Sequence, residues 1–225
     1  MRLGLAAGCA AATVVTALVL VTVTAIGRID RWVMDRPLDH ATRSLAAGDA
    51  RAAARALLPV VAERPEDPVT HYYLGLAYIR SGLPAVAIGQ LSEAARLQPR
   101  DARVRSALGE AYRAVGTPGP ALREFLEAVA LDPGDPSYRA EAGTMLLNDG
   151  RVDEALAQLR EAVRLRPSAA DVHVLLSLAL CRAGDAAGMQ HELRAAAGIA
   201  AAEPLGELAH QLSESGQRVC IAGQR

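Results

Sequence analysis

The chain has 225 residues, of which 51% are hydrophobic, and its 24 basic and 25 acidic residues give a formal net charge of −1. Because the two signs are interspersed along the sequence, they form no basic surface of the kind that binds nucleic acid. Every one of the basic residues is arginine, which we interpret as the composition of a high-GC bacterial genome.

The first predicted element is an apolar segment near the amino terminus. Residues 3–26 contain no charged side chain, and a helix of that length would span about 36 Å, enough for a bilayer core of about 30 Å. Trp32 and three arginines follow, where interfacial anchors belong. We therefore predict a transmembrane anchor at 1–27 and a juxtamembrane linker at 28–36. The alternatives are a signal peptide, which usually has a shorter apolar region, and lipidation at Cys9, where the apolar run should precede the cysteine.

The sequence gives conflicting signals about the side of the membrane on which the rest of the chain lies. Arg2 stands before the span and three arginines follow it, and this positive-inside count favours a cytoplasmic location. The two-residue head, however, resembles that of an export-type anchor, and Asp30 and Asp35 alternate with the basic residues. We predict a single-pass protein of the bacterial inner membrane with the remainder extracytoplasmic, and the cytoplasmic orientation stays the alternative.

After the linker, the sequence repeats with a period of 34 residues. Two series follow this step, namely Gly82, Gly116, Gly150 and Gly184, and Pro65, Pro99, Pro133 and Pro167. Self-similarity at this period is typical of a helical solenoid, whose units bury their apolar faces by stacking on neighbours. We expect each glycine to end a first helix, because glycine adopts the left-handed conformation without a steric penalty. Each proline is expected to stop a second helix.

The repeat resembles the tetratricopeptide repeat (TPR) family, whose pattern has Leu-Gly, Tyr, Gly, Ala, Phe, Ala and Pro at fixed offsets. The best unit has Leu74-Gly75, Tyr78, Gly82, Ala87, Ala94 and Pro99, and Phe125 fills the aromatic position of the next unit. The resemblance implies an all-α, right-handed solenoid of stacked helix-turn-helix units over 37–203. The predicted units are 34–67, 68–101, 102–135, 136–169 and 170–203, followed by a capping helix at 204–216 and a tail at 217–225.

One position departs from the family pattern. The tryptophan of the family is replaced by His71, Arg105, Arg139 and His173. Because aromatic residues make up only 3% of the chain, we expect the packing to rely on Leu, Val and Ala.

The resemblance also implies a binding surface, since the first helices of TPR proteins line a concave groove. The residues predicted to bind a partner there are Val69, Tyr72, Tyr73, Leu76, Ile79, Arg80, Arg103, Glu110, Arg113, Glu141, Thr144 and Asn148. A partner segment with an apolar residue and a nearby acid would suit the tyrosines and arginines among them. The lysines and asparagines with which one TPR subset grips chaperone tails are absent except Asn148, so that function is not expected.

The sequence contains no catalytic constellation, phosphate-binding loop or cluster of His and Cys at metal-ligand spacing. We therefore predict no enzymatic activity, no metal and no cofactor. Cys9, Cys181 and Cys220 are interpreted as core or incidental cysteines. The alternative is a disulfide between Cys181 and Cys220, which would need an oxidising compartment.

The sequence thus predicts a membrane-anchored TPR adaptor or scaffold that binds a protein or peptide partner. Bacterial proteins of this layout suggest envelope assembly of the pilus, secretion or cytochrome-maturation type. The alternative is a regulatory or substrate-presenting subunit of a separately encoded enzyme. Nucleic acid is not an expected partner. The small residues Gly4 and Gly8 in the predicted anchor leave a homo-oligomer open.

Overall fold

The computed structural model describes residues 37–201 and 204–222, and these residues are helical apart from short connections. The predicted anchor and linker lie outside the described residues. The first helices of the five units are α1 (residues 37–46), α3 (Pro68–Arg80), α5 (Ala102–Ala114), α7 (Pro136–Asn148) and α9 (Ala170–Arg182). The second helices are α2 (Ala50–Glu63), α4 (Pro84–Leu97), α6 (Pro118–Leu131), α8 (Val152–Leu165) and α10 (Ala186–Ile199). The last helix, α11 (Pro204–Ala222), continues past the predicted boundary at residue 216.

The turn inside each unit contains a glycine with a left-handed backbone. These glycines, which have φ between 76° and 82° and are 34 residues apart, are Gly48, Gly82, Gly116, Gly150 and Gly184. A residue with a Cβ atom would be strained in this conformation. The prediction that these glycines end the first helices is therefore confirmed.

Aspartates begin the first helices of three successive units. The side chains of Asp67, Asp101 and Asp135 each accept a hydrogen bond from the backbone amide two residues later, at 3.2, 2.9 and 2.8 Å. Amides in the first turn have no partner within the helix, so each cap stabilises the start of its helix. Ala169 holds this position before α9 and provides no side-chain cap.

The two helices of a unit approach each other most closely at a glycine. In three successive units the glycine and the large side chain that faces it are Gly75 and Leu91, Gly109 and Phe125, and Gly143 and Leu159. A Cβ atom added to Gly75 would lie only 2.5 Å from Leu91 Cγ. The large side chain thus occupies the space that a side chain on the first helix would need.

The units stack so that each helix from α2 to α11 contacts the next one along the chain. First helices of neighbouring units also contact each other, as α3 contacts α5 and α7 contacts α9. In a curved stack the helices on the inner side are the closer ones, so we assign the first helices to the concave side. α11 contacts both α9 and α10, and it therefore takes the place that the first helix of another unit would have.

The largest cluster of buried apolar residues extends from α6 to α11. In it, Cys181 of α9 is partly buried. Cys181 is disulfide-bonded, and its partner lies outside the side chains that the structure describes. Cys181 thus packs against the core, as the first interpretation expected, and takes part in a disulfide, as the alternative expected. Among the helices within the described ranges, none combines the length and the apolar character that a membrane crossing needs.

Candidate partner-binding groove

Two adjacent tyrosines form the aromatic part of the concave face. The rings of Tyr72 and Tyr73 meet edge to face, with centroids 5.2 Å apart and planes inclined by 68°. Tyr72 packs on the apolar residues between α4 and α5, and Tyr73 packs on those of the first unit. Both tyrosines are only partly buried, so each residue gives part of its surface to the core and leaves part exposed.

Arg103 lies beside these tyrosines and is held by an internal partner. Its Cζ atom is 5.9 Å from the centroid of the Tyr72 ring, within the range of a cation–π contact. Its Nε and Nη2 atoms donate to the two carboxylate oxygens of Asp101 at 3.1 and 2.7 Å. We call Tyr72, Tyr73 and Arg103 the tyrosine patch. Burial raises the pKa of Tyr72, and the positive charge of Arg103 opposes that shift.

Arg80 joins two units together. Its Nη1 atom donates to the carbonyl oxygen of Leu45, in the last turn of α1, at 2.9 Å. Arg182 makes the equivalent bond to the carbonyl oxygen of Leu147 at 2.6 Å. In each pair the residues are 35 positions apart, so the bond crosses from one unit to the preceding one. A guanidinium at this place satisfies a carbonyl at a helix end, which gives Arg80 a structural role besides the predicted one.

Three charged residues occupy the middle of the predicted groove. Glu110 and Glu141 are partly buried, and Arg113 is exposed. Burial raises the pKa of Glu141, Arg113 lowers it, and Glu110 raises it further. Glu110 and Arg113 lie on α5 and Glu141 lies on α7, the first helices of neighbouring units. We call Glu110, Arg113 and Glu141 the charged centre.

The remaining predicted residues differ in how much surface they offer. Leu76 and Ile79 are partly buried and pack against the core between the second and third units. Val69, which is 37% exposed, and Asn148 lie at the ends of their helices. The hydroxyl of Thr144 donates to the carbonyl oxygen four residues earlier at 2.8 Å. Val69 and Asn148 are thus the exposed members of this group, and the other three are partly buried.

The structure also shows polar bridges that the sequence interpretation missed. Each bridge joins the residue that replaces the family's tryptophan to a side chain 19 residues later in the same unit. The pairs are His71 and Gln90 (2.8 Å), Arg105 and Glu124 (3.1 Å), Arg139 and Gln158 (3.1 Å), and His173 and Glu192 (2.6 Å). Each of the four also contacts the carbonyl oxygen of the proline six residues earlier, at 2.9 to 3.4 Å. The packing therefore does not rely on Leu, Val and Ala alone.

The sequence interpretation also missed Tyr138, the third residue of α7. It is 8% exposed and lines an open cleft of about 780 Å³ together with Asp101, Arg103 and Asp132. Burial and nearby carboxylates raise the pKa of Tyr138. The cleft shares Arg103 with the tyrosine patch, so it extends the aromatic end of the groove towards the connections between units. Among the described residues, no group of three or more His, Cys, Asp or Glu side chains could hold a metal ion.

The comparison with known families agrees with this architecture. A sequence model of the tetratricopeptide repeat matches residues 38–88, 72–136 and 141–204. The chain belongs to the tetratricopeptide repeat family. No curated protein matches it. The TPR fold of the described residues confirms the predicted all-α solenoid.

Several solved structures resemble this TPR protein. MamA from Desulfovibrio magneticus RS-1 is 19% identical, with a TM-score of 0.68 over 76% of this chain and 96% of that one. TTC0263, a thermophilic TPR protein in Thermus thermophilus, is 21% identical, with a TM-score of 0.63 over 80% and 97%. YrrB, described as a TPR protein with an unusual peptide-binding site, is 20% identical, with a TM-score of 0.64 over 78% and 91%. At these identities the similarity establishes the fold.

Proposed function

We propose that this TPR protein is a membrane-anchored, non-catalytic adaptor that binds a segment of a protein partner in its concave groove. The observation that carries the proposal is the partly exposed Tyr72–Tyr73 pair, which offers rigid aromatic surface on the side lined by first helices. Tyrosine is among the residues that dominate binding energy at interfaces. A peptide-binding site in the structurally similar YrrB shows that this fold can serve such a purpose.

The proposed location is the extracytoplasmic side of a bacterial inner membrane. The uncharged run at residues 3–26 supports a single-pass anchor. The disulfide at Cys181 supports an oxidising compartment for the solenoid, because cytosolic thiols are kept reduced. A role in envelope assembly is consistent with both features.

Site-specific photo-crosslinking in cells tests the groove. The full chain would carry a photoreactive amino acid at Leu76 or at Thr144, both on first helices, or at the exposed Ser92 of α4 as a control. We expect one discrete crosslinked protein from the two groove positions and none from position 92. Crosslinks from position 92 alone would refute the groove as the binding surface. A product in which the crosslinked protein is another copy of this chain would identify self-association instead of a separate partner.

Fusions at the carboxyl terminus test the location. Alkaline phosphatase is active only after export, whereas green fluorescent protein fluoresces only when it folds in the cytoplasm. We expect phosphatase activity without fluorescence, in the membrane fraction. The reverse pattern would place the solenoid in the cytoplasm, and a soluble product would contradict the anchor.

A further inference from the structure

The polar bridge of the last unit joins two side chains that can both gain or lose a proton. Both nitrogen atoms of the His173 ring face an oxygen that accepts hydrogen bonds. Nδ1 lies 2.6 Å from Glu192 Oε2, and Nε2 lies 3.0 Å from the carbonyl oxygen of Pro167. The side chains of His173 and Glu192 are only 9% and 15% exposed, so both contacts are largely shielded from water.

The number of hydrogen atoms determines what this pair needs. A neutral imidazole donates from one nitrogen, and its other nitrogen carries a lone pair. Beside an ionised Glu192, that lone pair would face an oxygen that has no hydrogen to donate. Both contacts are hydrogen bonds only when the pair holds two protons, either on the two ring nitrogens or on Nε2 and the carboxyl group. The folded pair therefore binds one proton more than a neutral histidine beside an ionised glutamate.

The equivalent bridges of the preceding units do not have this requirement. Arg105 and Arg139 have several donors and stay charged. His71 makes the same two contacts as His173, at 2.8 and 2.9 Å, but the first is with Gln90. An amide group has an acceptor on one side and a donor on the other, so a neutral His71 ring can make both bonds. The second unit is thus a matched internal comparison for the last one.

Glu192 is the acid that pairs with His173, and the other charged groups around the ring do not take its place. Within the described ranges, none of them forms a salt bridge with His173. On α9 and on the elements packed against it, these groups include Glu141 of α7, Arg164 of α8, Arg166 before Pro167, Asp171 of α9, His191 of α10 and Glu207 of α11. All of them except Glu141 are exposed.

We propose that the last unit contains a pH-dependent bridge. The His173–Glu192 pair holds α9 and α10 to the connection that follows α8, and the unit loosens when the pair loses its second proton. The change affects one end of the groove, because α9 is a first helix, and it affects α11, which contacts both α9 and α10. The inference concerns the stability of one unit and does not depend on the adaptor function.

The direction of the effect follows from the proton count in the two states. In an unfolded chain glutamate loses its proton at about pH 4.3 and histidine at about pH 6.5. Between these values the unfolded residues hold two protons, as the folded pair does. Above about pH 6.5 they hold one. The stability that the bridge contributes is therefore fully present just below about pH 6.5 and is lost as pH rises above it, with a slope of one proton.

Hydrogen–deuterium exchange of the full-length protein in detergent, measured by mass spectrometry, tests the inference segment by segment. Protection of the amides in α9 and α10 is corrected for the intrinsic exchange rate at each pH. From about pH 6.5 to about pH 8 we expect it to fall by up to about tenfold per pH unit. Protection in α3 and α4 should not fall in this way, because His71 pairs with Gln90. The variant E192Q should abolish the pH dependence in α9 and α10.

The variant Q90E is the reverse change. It places a histidine–glutamate pair in the second unit, so α3 and α4 should acquire the pH dependence while α9 and α10 keep theirs. Should E192Q unfold the last unit at every pH, the wild type and Q90E still decide. Three results would overturn the inference: constant protection of α9 and α10 in the wild type, an equal fall in a folded E192Q, or a folded Q90E without pH dependence in α3 and α4.

Discussion

The contact between Gly75 and Leu91 provides the most direct test of how the two helices of a unit pack. Leu91 is fully buried, and a Cβ atom at Gly75 would lie 2.5 Å from its Cγ and 2.7 Å from its Cδ2. The Cγ atom is the branch point of the side chain, so it cannot move aside as a flexible tip would. We therefore expect G75A to overpack the contact.

The size of the effect follows from two opposing contributions. Replacing Gly by Ala within a helix is worth about 0.5–1 kcal/mol in favour of Ala, whereas overpacking a core typically costs about 1–3 kcal/mol. Gly89 in α4 is the matched control, because a Cβ atom added there would meet nothing within 4 Å. The backbone contribution is common to both positions. The difference in the free energy of unfolding between G75A and G89A should therefore equal the overpacking cost, about 1–3 kcal/mol.

The assay is urea unfolding of each variant, followed by circular dichroism. G89A should shift the midpoint upwards and G75A should shift it downwards, with the same slope, since the surface exposed on unfolding hardly changes. In an L91A background the cavity left by the leucine, which alone costs about 2–5 kcal/mol, can receive the new methyl group. G75A should then become stabilising. Equal midpoints for G75A and G89A, or a destabilising G75A in the L91A background, would refute this account of the packing.

Three further predictions concern charged side chains and use the same unfolding measurement. Because E124A leaves the partly buried Arg105 guanidinium without its carboxylate, it should cost about 1–3 kcal/mol, whereas E124Q should cost less, and equal losses would argue against the bridge. The hydrogen bond from Arg103 lowers the pKa of Asp101, so the stability that Asp101 contributes is present above the ordinary aspartate pKa and is lost as pH falls through the depressed value. The variant D101N should reduce this loss of stability at acid pH. An unchanged dependence of stability on pH would contradict the prediction. Burial raises the pKa of Glu141, so the stability of the wild-type protein should fall as pH rises from the ordinary glutamate pKa through the raised value. The variant E141Q should therefore be more stable than the wild type at neutral pH. A lower stability of E141Q at that pH would contradict the prediction.

The period and the turn chemistry made most of the fold predictable from the sequence. Gly82 and its equivalents mark the ends of the first helices because few other residues tolerate a positive φ. The glycines at which the helices of a unit meet, Gly75, Gly109 and Gly143, follow the same 34-residue step. Each of these positions requires glycine for a reason that lies in the glycine itself, which has no Cβ atom. Such positions can be recognised in the sequence without knowledge of the three-dimensional contacts.

The polar bridges were missed because their cause is a pair of residues. His71 taken alone, at the position of a tryptophan, suggests a weakened apolar contact. Its meaning becomes apparent only with Gln90, 19 residues later, which supplies an oxygen within 2.8 Å. The signal was nevertheless in the sequence, since the residues 19 positions after the four replacements are all Gln or Glu.

The sequence predicted on which helices the candidate groove residues lie, but not how their side chains pair within the chain. Family spacing places Arg80 and Glu141 on first helices, and both lie there. Spacing cannot show that the Arg80 guanidinium reaches a carbonyl oxygen 35 residues earlier, or that Glu141 has no salt-bridge partner within the described part of the chain. The sign of the charge offered to a ligand is what remains after internal pairing, so it requires the three-dimensional contacts.

The two kinds of contact in this solenoid have different physical consequences. The contacts between glycine and Leu or Phe lie within a unit, and apolar packing of this kind is large in energy and not directional. The polar bridges attach each connection between units to both helices of the unit that follows, and hydrogen bonds require defined distances and angles. The bridges therefore fix where each connection lies relative to the unit that follows, whereas apolar contacts, such as that of Tyr72 with the residues between α4 and α5, also join successive units.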